Sequence, residues 1–99
     1  MPGQFDAALE FDWDAGNIEK SWLKHQVSQK DSESTFKDPA SVLALDPSHS
    51  QSEKRFQLIG NSESNKLLNI IFTIRNHKIR IISARSANQK ERNLYEKIK

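Results

Sequence analysis

Apolar and polar positions alternate at the start of the chain and then change to a helical spacing. Residues 9–13 alternate apolar with acidic side chains, which predicts a short half-buried strand. Asp14 follows and can cap a helix over residues 15–26, because its side chain can accept an otherwise unsatisfied backbone N–H. With Ser28 as its cap, a second short helix is predicted over residues 29–36.

The second half of the chain has the pattern of a sheet followed by a helix. Apolar runs and turn residues predict strands at 41–45, 55–59, 67–74 and 78–83. A final helix is predicted over residues 87–98. This order predicts one α+β domain over residues 1–99, with two N-terminal helices and a C-terminal helix packed on a roughly four-stranded antiparallel sheet. Residues 1–8 offer few apolar anchors, and we expect them to be flexible.

The last two strands are predicted to form a tight hairpin whose turn is Asn76 and His77. Asn tolerates the positive φ that a two-residue turn requires. The register then follows from the turn, and the predicted pairs are Arg75 with Lys78, Thr73 with Arg80, and Ile71 with Ile82.

This register predicts the two faces of the hairpin, because side chains alternate across a strand. We expect one face to be core, with Ile70, Phe72, Ile74, Ile79 and Ile81. The other face would carry Ile71, Thr73, Arg75, Lys78, Arg80 and Ile82. Arg75 and Arg80 then lie diagonally, close enough to hold one phosphate, and guanidinium groups suit phosphate oxygens.

Charge is distributed unevenly along the 99 residues. The formal net charge is only +2. Residues 75–99 nevertheless carry eight Lys or Arg against two Glu, whereas residues 1–74 carry seven against eleven acidic residues. A basic end on a nearly neutral protein suggests a surface for a polyanion, although a solvated basic helix is the simpler alternative.

Composition excludes several familiar chemistries. The chain has no cysteine and only three glycines, far apart, so neither thiolate chemistry nor a phosphate-binding glycine loop is expected. The three histidines are widely spaced, and we expect no metal site and no cofactor. No apolar run is long enough to span a membrane and no signal sequence is visible, which predicts a cytoplasmic protein.

A small basic domain can cleave RNA without a metal, because the ribose 2′-OH is an internal nucleophile. His25 titrates near neutrality and could exchange protons, and Lys24 lies beside it. Both could equally complement the dipole at the end of the first helix. Arg85, after the last strand, could bind phosphate or pair with an acidic side chain.

An ordered set of short fragments resembles the BrnT toxin family over roughly residues 9–96. The fragments include FDWD at 11–14, KHQVS at 24–28, FKDP at 36–39, TIR at 73–75 and RIISAR at 80–85. Their combination carries the resemblance. The chain departs from the family pattern at Gln26, where glycine is usual, at Asn65-Lys66, where Gly-Arg is usual, and at Asn17, where lysine is common.

The resemblance implies a metal-independent endoribonuclease toxin with a fold similar to the RelE type. It also implies a cognate BrnA-like antitoxin with a ribbon-helix-helix DNA-binding part, a complex that binds its own promoter DNA, and a toxin homodimer within that complex. Its catalytic candidates are Lys24, His25, Arg75 and Arg80. Its substrate-binding candidates are Arg55, Ser83 and Arg85. The alternative is a catalytically inactive RNA- or protein-binding module of the same fold.

Overall fold

The computed structural model describes residues 10–14, 16–17, 26–46 and 54–98. Within these ranges the chain forms four strands, which are β1 (Val42–Leu45), β2 (Phe56–Asn61), β3 (Leu67–Arg75) and β4 (Lys78–Ser86). It also forms two α-helices, which are α1 (Gln29–Ser34) and α2 (Gln89–Ile98). A 3₁₀ turn over Thr35–Lys37 continues α1.

The strands form one antiparallel sheet in the order β1-β2-β3-β4. The predicted α+β architecture and the four-stranded sheet are therefore confirmed. Phe11 adds a single parallel bridge to Ile79 on the outer edge of β4, in place of the predicted N-terminal strand. None of the helices in the described ranges is long and apolar enough to cross a membrane.

The described residues hold two complete α-helices, where three helices are predicted. A helical turn begins at Gly16 and Asn17, and Asp14 accepts a hydrogen bond from the backbone N of Asn17 (3.2 Å), as expected of a helix cap. The rest of the predicted first helix, at 18–25, lies outside the described residues, as do residues 1–8. Ser28 caps α1 as predicted, through its bond from the backbone N of Asp31 (3.1 Å).

The predicted hairpin turn is confirmed. The predicted pairing of β3 with β4 is correct from the turn to the middle of the strands. Asn76 and His77 have φ of 51° and 63°. The pairs Arg75–Lys78 and Thr73–Arg80 form as predicted, but Ile71 pairs with Ser83, because a bulge interrupts β4 opposite Ile71 and Phe72. The predicted pair of Ile71 with Ile82 is therefore wrong, since Ile82 is the extra residue of the bulge.

The main core covers one face of the sheet, where the 3₁₀ turn presses Phe36 onto the strands. Phe36 is fully buried and makes edge-to-face contacts with Phe11 and Phe72, at centroid distances of 5.3 and 5.0 Å. The buried apolar residues of this core are Val27, Phe36, Leu58, Leu68, Ile70, Phe72, Ile79, Ile81 and Ala84. The predicted core residue Ile74 is 52% exposed, because it lies beside the hairpin turn at the far end of the sheet.

The opposite face is covered only in part. Tyr95 of α2 packs there on Ile59 and Leu67, and its hydroxyl donates to Asp38 (2.7 Å). Burial and this hydrogen bond raise the pKa of Tyr95 to about 12. The other end of the same face carries the cationic side chains.

Candidate anion-binding site

Three arginines line one cavity at the hairpin end of this second face. Arg55, Arg75 and Arg80 surround a space of about 260 Å³, together with Gly16, Asn17, Ile81 and Ile82. The structure therefore brings Arg75 and Arg80 to one cavity, as the hairpin geometry predicts, and adds Arg55 from the neighbouring strand. Three guanidinium groups around one space offer several N–H donors, in the fork geometry that suits phosphate oxygens.

The sheet positions Arg55 and Arg80 on either side of Thr73. Thr73 pairs with Arg80 across β3 and β4, and its hydroxyl donates to the backbone carbonyl of Lys54 (2.7 Å) on the other side. The backbone carbonyl of Arg55 also accepts a hydrogen bond from Asp46 N (2.8 Å). Two strand spacings separate the Arg55 and Arg80 backbones by about 10 Å, which lets both side chains reach a group lying over Thr73.

Arg55 contributes a donor that the described part of the protein leaves unused. Its Nε atom is buried and makes no hydrogen bond to any described residue. A buried N–H without a partner is costly, and a bound oxyanion would satisfy it. This atom is the strongest local indication that the cavity accepts an acceptor-rich ligand.

Arg80 differs from Arg55 because two carboxylates hold it. Its Nη1 lies 3.5 Å from Asp12 Oδ2 and its Nη2 lies 3.0 Å from Asp14 Oδ2. The backbone hydrogen bond from Asn17, helped by Arg80, keeps the pKa of Asp14 below its ordinary value. The sequence predicts Asp14 only as a helix cap, and no local pattern indicates its second role as a partner of Arg80.

The β4 bulge decides which later residues share the face of Arg80. Without it, alternation would put Ile82 and Ala84 beside Arg80. With it, Ser83 pairs with Ile71 and Arg85 with Asn69, while Ala84 turns into the main core. The bulge thus brings Ser83, which the resemblance selected, to the cationic face.

Arg85 lies on this face but is engaged by α2. Its guanidinium makes two hydrogen bonds to Glu91, Nη1 to Oε1 at 2.8 Å and Nη2 to Oε2 at 2.7 Å. Asn88 and Glu91 exchange backbone-to-side-chain hydrogen bonds of 2.8 and 2.9 Å in a capping box at the start of α2. Of the two sequence alternatives for Arg85, the structure therefore shows pairing with an acidic side chain.

A larger cavity of about 430 Å³ lies at the other end of the sheet. It is lined by Lys66 and Arg92 but also by Glu96, and Lys66 approaches Asp31 at 4.0 Å. Its charges are mixed, so the smaller arginine cavity is the better anion site.

The remaining candidates cannot be placed in this geometry. Lys24 and His25 lie outside the described residues. Among residues that the structure describes, no group of three or more His, Cys, Asp or Glu side chains could hold a metal ion.

The described residues form a small α+β domain whose antiparallel sheet carries an arginine-lined cavity on its partly covered face. Residues 13–91 match the family model described as the ribonuclease toxin, BrnT, of type II toxin–antitoxin systems. The chain therefore belongs to the BrnT family, and the resemblance seen in the sequence is confirmed. No curated protein matches the chain with significant similarity.

Positive φ angles occur at the two positions where the resemblance implies glycine. Gln26 and Asn65 have φ angles of 55° and 61°. Glycine adopts positive φ without strain, and Asn does so more easily than Gln. The departure at Gln26 is therefore a local backbone cost.

Proposed function

We propose that this protein is a metal-independent endoribonuclease toxin, which cleaves RNA at the arginine cavity and so inhibits translation and growth. Membership of a ribonuclease toxin family supports the activity. The single observation that supports the site is the convergence of Arg55, Arg75 and Arg80 on one cavity, where Arg55 Nε is buried without a described partner.

In this proposal the arginines bind and stabilise the phosphate. The ribose 2′-oxygen attacks phosphorus, forming a 2′-O–P bond while the P–O5′ bond breaks. The intermediate carries extra negative charge on its equatorial oxygens, and preorganised guanidinium groups stabilise it more than they stabilise the substrate. Arg75 and Arg80 would hold this phosphate, while Arg55 and Ser83 bind the adjacent backbone.

Proton transfer is assigned to His25 or Lys24 on the basis of the family resemblance. One group takes the proton of the 2′-OH, and a second protonates the leaving O5′. Imidazole is suited to both steps because its pKa lies close to neutral pH. No metal is required in this scheme.

Membership of the family also indicates which partners the protein binds. Type II toxin–antitoxin systems pair the toxin with a protein antitoxin. We expect a BrnA-like antitoxin with a ribbon-helix-helix part, which carries a pair of toxins to the promoter DNA in the cytoplasm. A RelE-type arrangement of helices on the sheet belongs to the same proposal.

The second candidate function is an RNA-binding module that no longer cleaves. The ion pairs of Arg80 with Asp12 and Asp14 favour loss of cleavage, because two carboxylates reduce the positive charge that Arg80 offers to the transition state. The departures at Gln26 and Lys66 from the pattern that the resemblance implies also allow it, since lysine at position 66 lacks the guanidinium fork.

Cleavage of a labelled mixed-sequence RNA in EDTA tests the proposal. We expect products with 2′,3′-cyclic phosphate and 5′-hydroxyl ends, and no cutting where the 2′-OH is replaced by hydrogen. Cutting only after a divalent metal is added would contradict metal independence. RNA binding without cutting by the folded protein would establish the second candidate.

A further inference from the structure

Arg80 is held on two sides by carboxylates from one short segment. The Arg80 side chain is 19% exposed, against 40% for Asp12 and 57% for Asp14. The guanidinium is thus the more enclosed member of each pair, and it lies between the cavity and the N-terminal segment.

Backbone hydrogen bonds hold the segment that carries Asp12 against β4. Asp12 N donates to the carbonyl of Ile79 (2.8 Å), and Ile79 N donates to the carbonyl of Glu10 (2.9 Å). These two bonds attach the Asp12 backbone to the strand that carries Arg80. The Asp12 backbone is therefore held beside β4, and its carboxylate lies 3.5 Å from Arg80 Nη1.

Asn17 fixes Asp14 in the same way. Its side-chain amide donates to the backbone carbonyls of Asp12 and Ile81, both at 3.0 Å. Its side-chain oxygen accepts from Asp14 N (2.7 Å), and its own N donates to Asp14 Oδ1 (3.2 Å). Asp14 thus uses Oδ1 for the helix cap and Oδ2 for Arg80.

Two carboxylates beside an anion site weaken its attraction for phosphate, so a favourable effect on the site has to come from something other than charge. A long arginine side chain loses conformational entropy when it binds an anion, and a fixed guanidinium has lost it before the anion arrives. Arg80 has five N–H donors, so contacts through Nη1 and Nη2 leave others for a phosphate.

We propose that Asp12 and Asp14 are positioning residues that hold the guanidinium of Arg80 in its catalytic orientation. This inference rests on the proposed ribonuclease function. Because the carboxylates repel the phosphates of bound RNA and yet orient a group needed in the transition state, they act oppositely on substrate affinity and on turnover.

Asp14→Asn and Asp12→Asn test the inference. Asn is an equally good helix cap, so Asp14→Asn removes the charge while keeping the bond to Asn17 N. We expect kcat for RNA cleavage to fall by about tenfold to a hundredfold, as misplaced catalytic groups do. KM should stay the same or decrease. Glu96→Gln on α2 is the control, with the same change in net charge and an expected kcat like the wild type.

The outcomes separate positioning from its alternatives. An unchanged kcat in both aspartate variants would overturn the inference, and a raised kcat would show that the carboxylates inhibit the enzyme instead. An increased KM with unchanged kcat would make them substrate-binding residues, which also overturns it.

A measurement on the protein without RNA separates this inference from the proposed function. NMR relaxation of the Arg80 Nε–H group should show restricted motion in the wild type and faster motion in the Asp12→Asn/Asp14→Asn double variant. Equal restriction in both proteins would overturn positioning even if RNA is cut. A wild-type protein that cuts no RNA would overturn the ribonuclease function, and the catalytic role of the pair with it.

Discussion

The pairing of Arg85 with Glu91 predicts that Arg85 stabilises the fold. The two side chains share a bidentate contact, with exposed fractions of 34% for Arg85 and 9% for Glu91. Exposed ion pairs contribute up to about 1 kcal/mol, while breaking a buried pair costs about 3–5 kcal/mol. With Arg85 about one-third exposed and Glu91 buried, this pair lies between those limits, so we expect a coupling free energy of about 2 kcal/mol.

A double-mutant cycle measures this coupling. Arg85→Ala, Glu91→Gln and the double variant would be unfolded in urea beside the wild type. Glu91→Gln keeps the size of the side chain and an acceptor for Asn88 N, so its cost reports mainly the ion pair. The double variant should be more stable than the sum of the single effects predicts, by the coupling free energy.

The pH dependence of the same pair has a defined sign. Burial alone would raise the pKa of Glu91, but hydrogen bonds from Arg85 and Asn88 outweigh it and hold the pKa below its ordinary value of 4.5. A carboxyl with a lowered pKa contributes stability above pH 4.5, and this contribution is lost as the pH falls through the folded-state value. Glu91→Gln should therefore weaken the acid dependence of unfolding.

One result would refute this reasoning. If Arg85→Ala leaves stability and the acid transition unchanged but abolishes RNA cleavage, Arg85 binds substrate and the contact with Glu91 is incidental. The expected result is a less stable protein whose folded fraction retains cleavage.

Three further predictions concern stability. Gly60→Ala should lower the free energy of unfolding in urea by about 1–3 kcal/mol, because the added Cβ would lie 3.0 Å from the Thr35 carbonyl oxygen. An unchanged free energy would show that the 3₁₀ turn can move away. His77→Gly should stabilise by about 0.5–1 kcal/mol, because glycine accepts the positive φ of the turn; a loss of stability would contradict this. Tyr95 has a raised pKa, so its contribution to the free energy of unfolding is complete below pH 10 and is lost as the pH rises to about 12. Tyr95→Phe should remove this loss of stability at alkaline pH. If the loss remains in the variant, another group causes it.

Much of the fold follows from local patterns in the sequence. Alternation over residues 67–83 and the Asn76-His77 turn were enough to predict β3, β4 and the first pairs of their register. Local patterns do not reveal a bulge, because the extra residue, Ile82, is apolar like its neighbours. The predicted register of β3 with β4 is therefore wrong from Ile82 onward.

The part of the arginine cavity that lies on the β3–β4 hairpin could be predicted from the sequence. Arg75 and Arg80 followed from the turn alone, whereas Arg55 entered through the family resemblance and joins them through pairing of β2 with β3. The carboxylates on Arg80 come from the distant segment at residues 10–14, and no local pattern predicts its contact with β4. The capping box of Asn88 and Glu91 has a local sequence signature, Asn followed three residues later by Glu, from which the start of α2 can be predicted.

The most direct test of the account is the loss of RNA cleavage in a charge-matched pair of double variants. Arg75→Ala/Arg80→Ala removes two cations from the arginine cavity, and Lys66→Ala/Arg92→Ala removes two from the mixed cavity at the other end of the sheet. We expect the first variant to fold and lose cleavage, while the second cleaves like the wild type. Equal cleavage by both variants, or a loss confined to the second, would contradict it.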